Sequence, residues 1–370
     1  MPRPLYVSRP ILPDQDSFFQ MASELWGTKL LSNCGPFHER LEEELRNYLN
    51  VPTAKLFNNG TTALICALKM FSLPVGSEVI TTPLTFAATA HAISWNGLVP
   101  VFADVDPTTL TLCPKAVEKA VTPRTSAIVA VHVYGTVCDV NALGNIAAKL
   151  NLNLIYDSAH VFGTTVGVRG IGSFGDASVF SFHATKLFHT LEGGMITTNR
   201  QEDAKHIHLL RNFGIKNEEE VVEIGINGKM NELQAIMGLL NLPLVYAEKN
   251  ARNKLRRKYS EFLANLPGIG LQPEQVGVSN SEQYFLVTID EEQFGKGRDD
   301  IYRTLKNIGI HARKYFHPIC SDFEVYKGSS IVTTLPSPWV ETIKNRVLCL
   351  PFHSGVDDQD VEDIRKVFLS

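Results

Sequence analysis

The sequence predicts an α/β protein of two domains: a large one over residues 1–240 on a mainly parallel, mixed sheet, and a smaller α+β one over residues 241–370. Three observations carry this. The chain has 370 residues, 44% hydrophobic and 20% charged, which exceeds the ~250–300 residues at which a single core stops growing. Short apolar runs at 78–82, 99–103, 126–132 and 152–157 alternate with helix-length stretches at 86–96 and 141–150, and crossovers of that length join parallel strands covered on both faces. From about residue 240 the pattern changes to a long charged helix at 246–266, hairpin-like material at 283–289 and a Pro-rich end.

In chain order, the first element with chemical content is Asn58-Asn59-Gly60-Thr61-Thr62, which opens an apolar-periodic helix over 60–68. Unpaired N–H groups and hydroxyls converge there at the positive end of the helix dipole, the outline of an anion site; a plain threonine-type N-cap gives the same pattern. The strand at 152–157 ends in Asp157, followed by Ser158-Ala159-His160. In parallel sheets ligands sit at the carboxyl ends of strands, so Asp157 faces the expected site, Ala159 leaves room for a flat ring and His160 can donate to it. The run Gly170-Ile171-Gly172-Ser173-Phe174-Gly175 fits the dinucleotide pattern G-x-G-x-x-G. Residues 176–182 after it read as a strand where that fingerprint demands a helix, so the glycines are read as a tight turn.

Lys186 follows that strand, in Ser181-Phe182-His183-Ala184-Thr185-Lys186. A lysine held on an apolar segment loses hydration, its pKa falls, and the neutral amine is the form that makes a Schiff base with an aldehyde. Ser181 can add a hydroxyl to the anion site. The basic run Arg252-Asn253-Lys254-Leu255-Arg256-Arg257-Lys258 reads as the solvated face of a helix.

The net charge of −4 and the lack of a basic tail exclude nucleic acid as the main partner. Six cysteines without C-x-x-C spacing read as free thiols in a reducing compartment, and no metal site is expected. No run approaches the ~18 apolar residues of a membrane span, and the expected location is the cytoplasm.

The ordered segments Asn33-Cys34-Gly35-Pro36, Gly60-Thr61-Thr62-Ala63-Leu64, Pro83-Leu84-Thr85-Phe86, Asp104-Val105-Asp106, Val131-His132-Val133-Tyr134-Gly135, Asp157-Ser158-Ala159-His160, Ser181 to Lys186, Glu192-Gly193-Gly194, Gly225 to Met230 and Leu350-Pro351-Phe352 resemble the DegT/DnrJ/EryC1/StrS sugar aminotransferases over nearly the whole chain. The resemblance implies the aspartate aminotransferase-like fold (PLP-dependent transferase fold type I) and pyridoxal 5'-phosphate as cofactor. It implies that Lys186 attaches the cofactor and moves the proton, Asp157 pairs with the pyridine nitrogen, His160 reaches the ring hydroxyl and Phe86 stacks on the ring. Gly60, Thr61, Thr62 and Ser181 would hold the phosphate, completed by Asn227 of the other subunit of a homodimer; Lys229, where the family often has arginine or lysine, would be among the substrate-binding residues.

Asn33, Tyr315 and His317 match places where relatives touch the nucleotide-sugar, and Arg313 and Lys314 read either as contacts to its diphosphate or as a solvated pair; where relatives often carry Tyr-Pro this chain has His317-Pro318. The implied reactants are L-glutamate and a nucleotide-linked 4-keto-6-deoxy sugar, with dTDP-4-keto-6-deoxy-D-glucose the first expectation, for O-antigen or other surface polysaccharide synthesis. Carbon 4 follows from the form His183-Ala184-Thr185-Lys186 with Glu192-Gly193-Gly194, which resembles the 4-aminating relatives. Amination at carbon 3 or of a UDP- or GDP-sugar is the alternative, a catalytically silent PLP-binding regulator the non-enzyme one.

Overall fold

The computed structural model describes residues 4–369. Its centre is an eight-stranded sheet in the spatial order Thr333–Thr334, Val99–Phe102, Glu78–Thr81, Thr125–Val131, Asn153–Asp157, Ala177–Ser181, Gly194–Thr198, Thr53–Phe57. Pairing is parallel from the first strand to Ala177–Ser181, and Gly194–Thr198 runs antiparallel to both of its neighbours. The mainly parallel, mixed sheet expected from the alternation is therefore present. Side chains alternate across it: Leu56, Ile80, Ile128, Leu154, Phe180 and Met195 join one core, while Phe57, Val79, Val129, Ile155, Val179 and Ile196 join the other. Residues 127–131 and 154–156 are unbroken apolar stretches because both faces are covered.

Helices Gly60–Lys69, Ala87–Trp95 and Val140–Leu150 are the crossovers. The glycine run holds to the turn reading: Thr165–Val166 pairs antiparallel with Arg169–Gly170, a 3-10 turn spans Ile171–Ser173, and the strand Ala177–Ser181 follows.

The C-terminal part has its own core of Tyr259, Leu263, Phe285, Leu305, Phe352 and Ile364. These pack on an antiparallel three-stranded sheet of Ile269–Leu271, Phe285–Ile289 and Val347–Leu350. Chain passes between the two parts in both directions: Leu5–Tyr6 pairs with Ile310–His311, and Thr333–Thr334 extends the large sheet beside Val99–Phe102. Near residue 240 the chain is continuously helical, from Glu232–Asn241 through Leu242–Leu244 into Val245–Leu263.

The basic run on that last helix departs from the solvated-face reading. Arg252 is 1% exposed, its Nε donates to Glu248 at 2.7 Å and its Nη1 to the Glu282 carbonyl at 3.0 Å. Arg256 donates to the Glu282 carboxylate at 3.0 Å. Only Lys254, Arg257 and Lys258 of the run face solvent; Arg252, Leu255 and Tyr259 turn inward, and a buried guanidinium is stable there because its donors are matched by a carboxylate and carbonyls.

Candidate active site

The register aligns the ends of the central strands. Val131 sits opposite Asp157, Asp157 opposite Val179, and Gly194 opposite both Ser181 and Phe57. Near these strand ends lies one cleft of about 600 Å³, lined by Gly60, Thr61, Thr62, Phe86, Asp157, His160, Ser181, Lys186 and Tyr315. Nine residues singled out in the sequence thus share a wall.

Asp157 is buried, and its Oδ2 accepts from the Thr89 hydroxyl at 2.8 Å while its Oδ1 accepts from the Ala159 N–H at 3.1 Å. Burial raises its pKa against these two donors and the Lys186 charge. Lys186 stands half-buried on the floor; lost hydration brings its amine down to about 8, against the pull of Asp157. At neutral pH a sizeable neutral fraction is therefore available. Its backbone is clamped by Gln283, whose Oε1 accepts from the Leu187 N–H at 2.8 Å and whose Nε2 donates to the Thr185 carbonyl at 3.2 Å.

His160 is buried, and its Nδ1 accepts from the Tyr134 N–H at 3.2 Å, which leaves the proton on Nε2. Burial, helped by the Lys186 charge, keeps the ring neutral.

At the opposite end, the helix Gly60–Lys69 starts with Asn59 accepting from the Thr62 N–H at 2.8 Å, and the Thr62 hydroxyl donates to Asn58 at 2.6 Å. Thr62 therefore locks the turn as well as lining the cleft. A Cβ on Gly60 would lie 2.9 Å from the Ser181 Cβ, so only glycine lets this helix end approach the strand that carries Ser181. Phe86, 59% exposed, stands at the N-cap of Ala87–Trp95.

The structure leaves six expected residues outside this cleft. Asn227 bridges Asn212 and its carbonyl accepts from Asn58 at 3.3 Å. Lys229 donates to Asn212 at 2.7 Å and lies over the Phe213 ring. Asn33 adopts a left-handed backbone, φ 65°, ahead of Gly35. Arg313 and His317 are exposed, while Lys314 pairs with Asp299 at 2.8 Å. Sequence reasoning passed over Thr89, Gln283, Tyr134 and Glu232; the last is fully buried and accepts from the N–H groups of Phe37 and His38 at 2.9 and 3.1 Å. Tyr134 lies in the segment Val131 to Gly135 that carries the resemblance, but nothing in it assigns the residue a role; no local pattern marks the other three.

A buried carboxylate, a depressed lysine, a neutral histidine and a helix N-terminus at fixed positions fit a flat, charged aromatic aldehyde that carries an anionic group. Among known proteins, the model of the DegT/DnrJ/EryC1/StrS aminotransferase family matches residues 13–368. The dTDP-4-amino-4,6-dideoxy-D-glucose transaminase of Shigella dysenteriae is 41% identical over 365 residues, 98% of each chain. The Escherichia coli enzyme of the same name is 37% identical over 366 residues, 98% of this chain and 97% of that one. The crystal structure of DesI with its TDP-sugar product superposes with a TM-score of 0.93 at 38% identity, covering 99% of this chain and 92% of that one.

Proposed function

The chain belongs to the DegT/DnrJ/EryC1/StrS aminotransferase family, whose members are PLP-dependent transaminases, and on that premise we propose that it moves the amino group of L-glutamate to carbon 4 of dTDP-4-keto-6-deoxy-D-glucose. The observation that carries the reading is that Asp157, at the end of the strand Asn153–Asp157, and Lys186, in the turn after Ala177–Ser181, line one cleft and each shifts the other's pKa. Identity of 41% to a transaminase named for the product dTDP-4-amino-4,6-dideoxy-D-glucose supports the substrate.

PLP, when bound, supplies an electron sink that lets a proton leave the carbon next to the amine nitrogen. In our reading Lys186 binds the cofactor covalently through Nζ. The free Nζ would take the proton from the donor carbon in one half-reaction and deliver one to the acceptor carbon in the other. A pKa brought to about 8 suits that double duty, because a shuttle works best near the operating pH. Asp157 would hold the proton on the pyridine nitrogen, Nε2–H of His160 would donate to the ring oxygen, and Phe86 would cover the ring. Gly60, Thr61, Thr62 and Ser181 surround the phosphate.

Asn227 and Lys229 lie outside their own chain's cleft, which supports the reading that they serve a second copy in a homodimer. Trp26, 79% exposed, with Leu30, Leu31 and Leu233 supports a covered face there: Leu31 and Glu232 are joined by an N–H···O bond of 3.0 Å, which brings the two segments together. Asn33, Arg313, Lys314, Tyr315 and His317 are assigned to the nucleotide-sugar. Lys314 would have to leave Asp299 to reach a diphosphate.

All six cysteines are free thiols, which supports a cytoplasmic reaction, with the product used for O-antigen or another surface polysaccharide. The test is borohydride reduction of the PLP-loaded protein followed by peptide mass spectrometry. The cofactor mass is expected on Lys186; a label elsewhere, or none, contradicts the assignment.

A further inference from the structure

Tyr134 lies just beyond the strand Thr125–Val131, fully buried and with a left-handed backbone, φ 56°. All of its polar groups are committed, and they point to different parts of the molecule. Its N–H donates to His160 Nδ1 at 3.2 Å. Its carbonyl accepts from Gln272 Nε2 at 3.1 Å. Its hydroxyl donates to the Tyr315 carbonyl at 2.7 Å and accepts from the Phe316 N–H at 3.1 Å.

The ring of Phe316 then stacks on Tyr134, centroids 5.5 Å apart and planes 20° apart, and on His160, 5.7 Å and 7°. Tyr315 and Phe316, from the C-terminal part, line the same cleft as His160 and Lys186. One residue thus joins the cofactor-side histidine to the loop that forms the outer wall.

We propose that Tyr134 is a positioning residue: its N–H fixes His160 with the proton on Nε2, and its hydroxyl anchors the Tyr315–Phe316 peptide so that Phe316 lies flat against the His160 ring and the wall facing the sugar is set. The part that concerns the sugar rests on the reading given under Proposed function. The hydroxyl serves both the half-buried Tyr315 carbonyl and the buried Phe316 N–H, so removing it leaves the two unmatched and frees the loop. The N–H remains, and with it the His160 tautomer. Glutamate, being small, needs only the inner cleft; the nucleotide-sugar also needs the outer wall.

The experiment uses PLP-loaded Tyr134→Phe beside the parent and Phe316→Leu. With ring-labelled histidine, NMR of the parent is expected to give His160 as the neutral Nε2–H form, with ring protons shifted by Phe316. In Tyr134→Phe the tautomer is expected to stay and the ring-current shift to shrink towards that of Phe316→Leu. The rate of cofactor conversion by glutamate is expected to stay within about twofold, while KM for the nucleotide-sugar rises about fivefold, the scale of one lost hydrogen bond.

An Nδ1–H tautomer in the parent, or unchanged His160 shifts in Tyr134→Phe, overturns the proposal. So does an equal fall of both half-reactions, the mark of a merely structural role. A parent that converts no keto-sugar sinks the functional reading instead, and the NMR arm still decides the positioning of His160.

Discussion

The Thr89 hydroxyl donates to Asp157 Oδ2 at 2.8 Å, and Thr85 lies 2.9 Å behind it. All three residues are buried, so the bond is unscreened by solvent and favours the ionised carboxylate against burial, which raises the Asp157 pKa. Thr89→Val keeps the shape and removes the donor. The expected result is a loss of about tenfold in kcat/KM, equivalent to about 1.4 kcal/mol, measured by steady-state kinetics with both substrates saturating in turn. Unchanged kinetics would show that the Ala159 N–H alone suffices.

Asp157→Asn removes the charge and keeps the shape: the amide oxygen can accept from the Ala159 N–H while the NH2 donates to the Thr89 hydroxyl, which must turn its own proton away. The rate with glutamate is expected to fall by roughly 10²–10³, the usual cost of deleting an electrostatic group aimed at developing charge. A single-turnover measurement of cofactor conversion reads it directly.

Lys186 sets a pH dependence. Its amine titrates near 8 in the folded chain and near 10.4 in the unfolded one. Below about 8 both forms carry the proton. Between the two values the unfolded chain binds more protons, so the stability of cofactor-free protein rises with pH across that window. Uptake of PLP by the cofactor-free protein, which needs the neutral amine, should climb as pH rises through about 8 and level off above it. Lys186→Met should abolish turnover and flatten the stability profile over the same range, as followed by thermal melts at stepped pH.

Gly60→Ala tests the close approach of helix and strand. Its Cβ would meet the Ser181 Cβ at 2.9 Å and the Ser181 Cα at 3.2 Å, and the backbone must move apart where the phosphate is to be held. Cofactor affinity, from fluorescence titration, is expected to weaken by about tenfold or more, given that overpacking costs of order 1–3 kcal/mol; the melting temperature of the cofactor-free chain should fall less.

Glu232→Ala strips two buried N–H groups, those of Phe37 and His38, of their acceptor at the start of the helix Pro36–Leu49. The expected loss is about 2–3 kcal/mol of stability in a denaturant titration, with Glu232→Gln recovering part of it.

These predictions mix residues that were legible in the sequence with residues that were not, and the division follows distance along the chain. Asp157, Lys186 and Gly60 stand at the ends of apolar strands or at a helix start, where neighbours in sequence define the environment. Thr89 reaches Asp157 across 68 positions, and Gln283 reaches Leu187 across 96. A threonine in an apolar helix and a glutamine before a strand look the same whether or not they meet an active site. Glu232 met its partners across more than 190 residues.

Arg252 was misread because charge on a helix signals solvent unless a matching Glu248 and free carbonyls wait on the inner side. The sheet was legible for the opposite reason, since burial on both faces gives its central strands apolar stretches such as residues 127–131. The pairing of Leu5–Tyr6 with Ile310–His311 joins segments some 300 residues apart, too remote for any local pattern.

The most direct test of the account is to incubate the PLP-loaded enzyme with L-glutamate and dTDP-4-keto-6-deoxy-D-glucose and to solve the product by NMR. The account predicts nitrogen on carbon 4 with the D-gluco configuration and one 2-oxoglutarate formed per amino-sugar. Nitrogen on carbon 3, or turnover confined to UDP- or GDP-linked sugars, would contradict it.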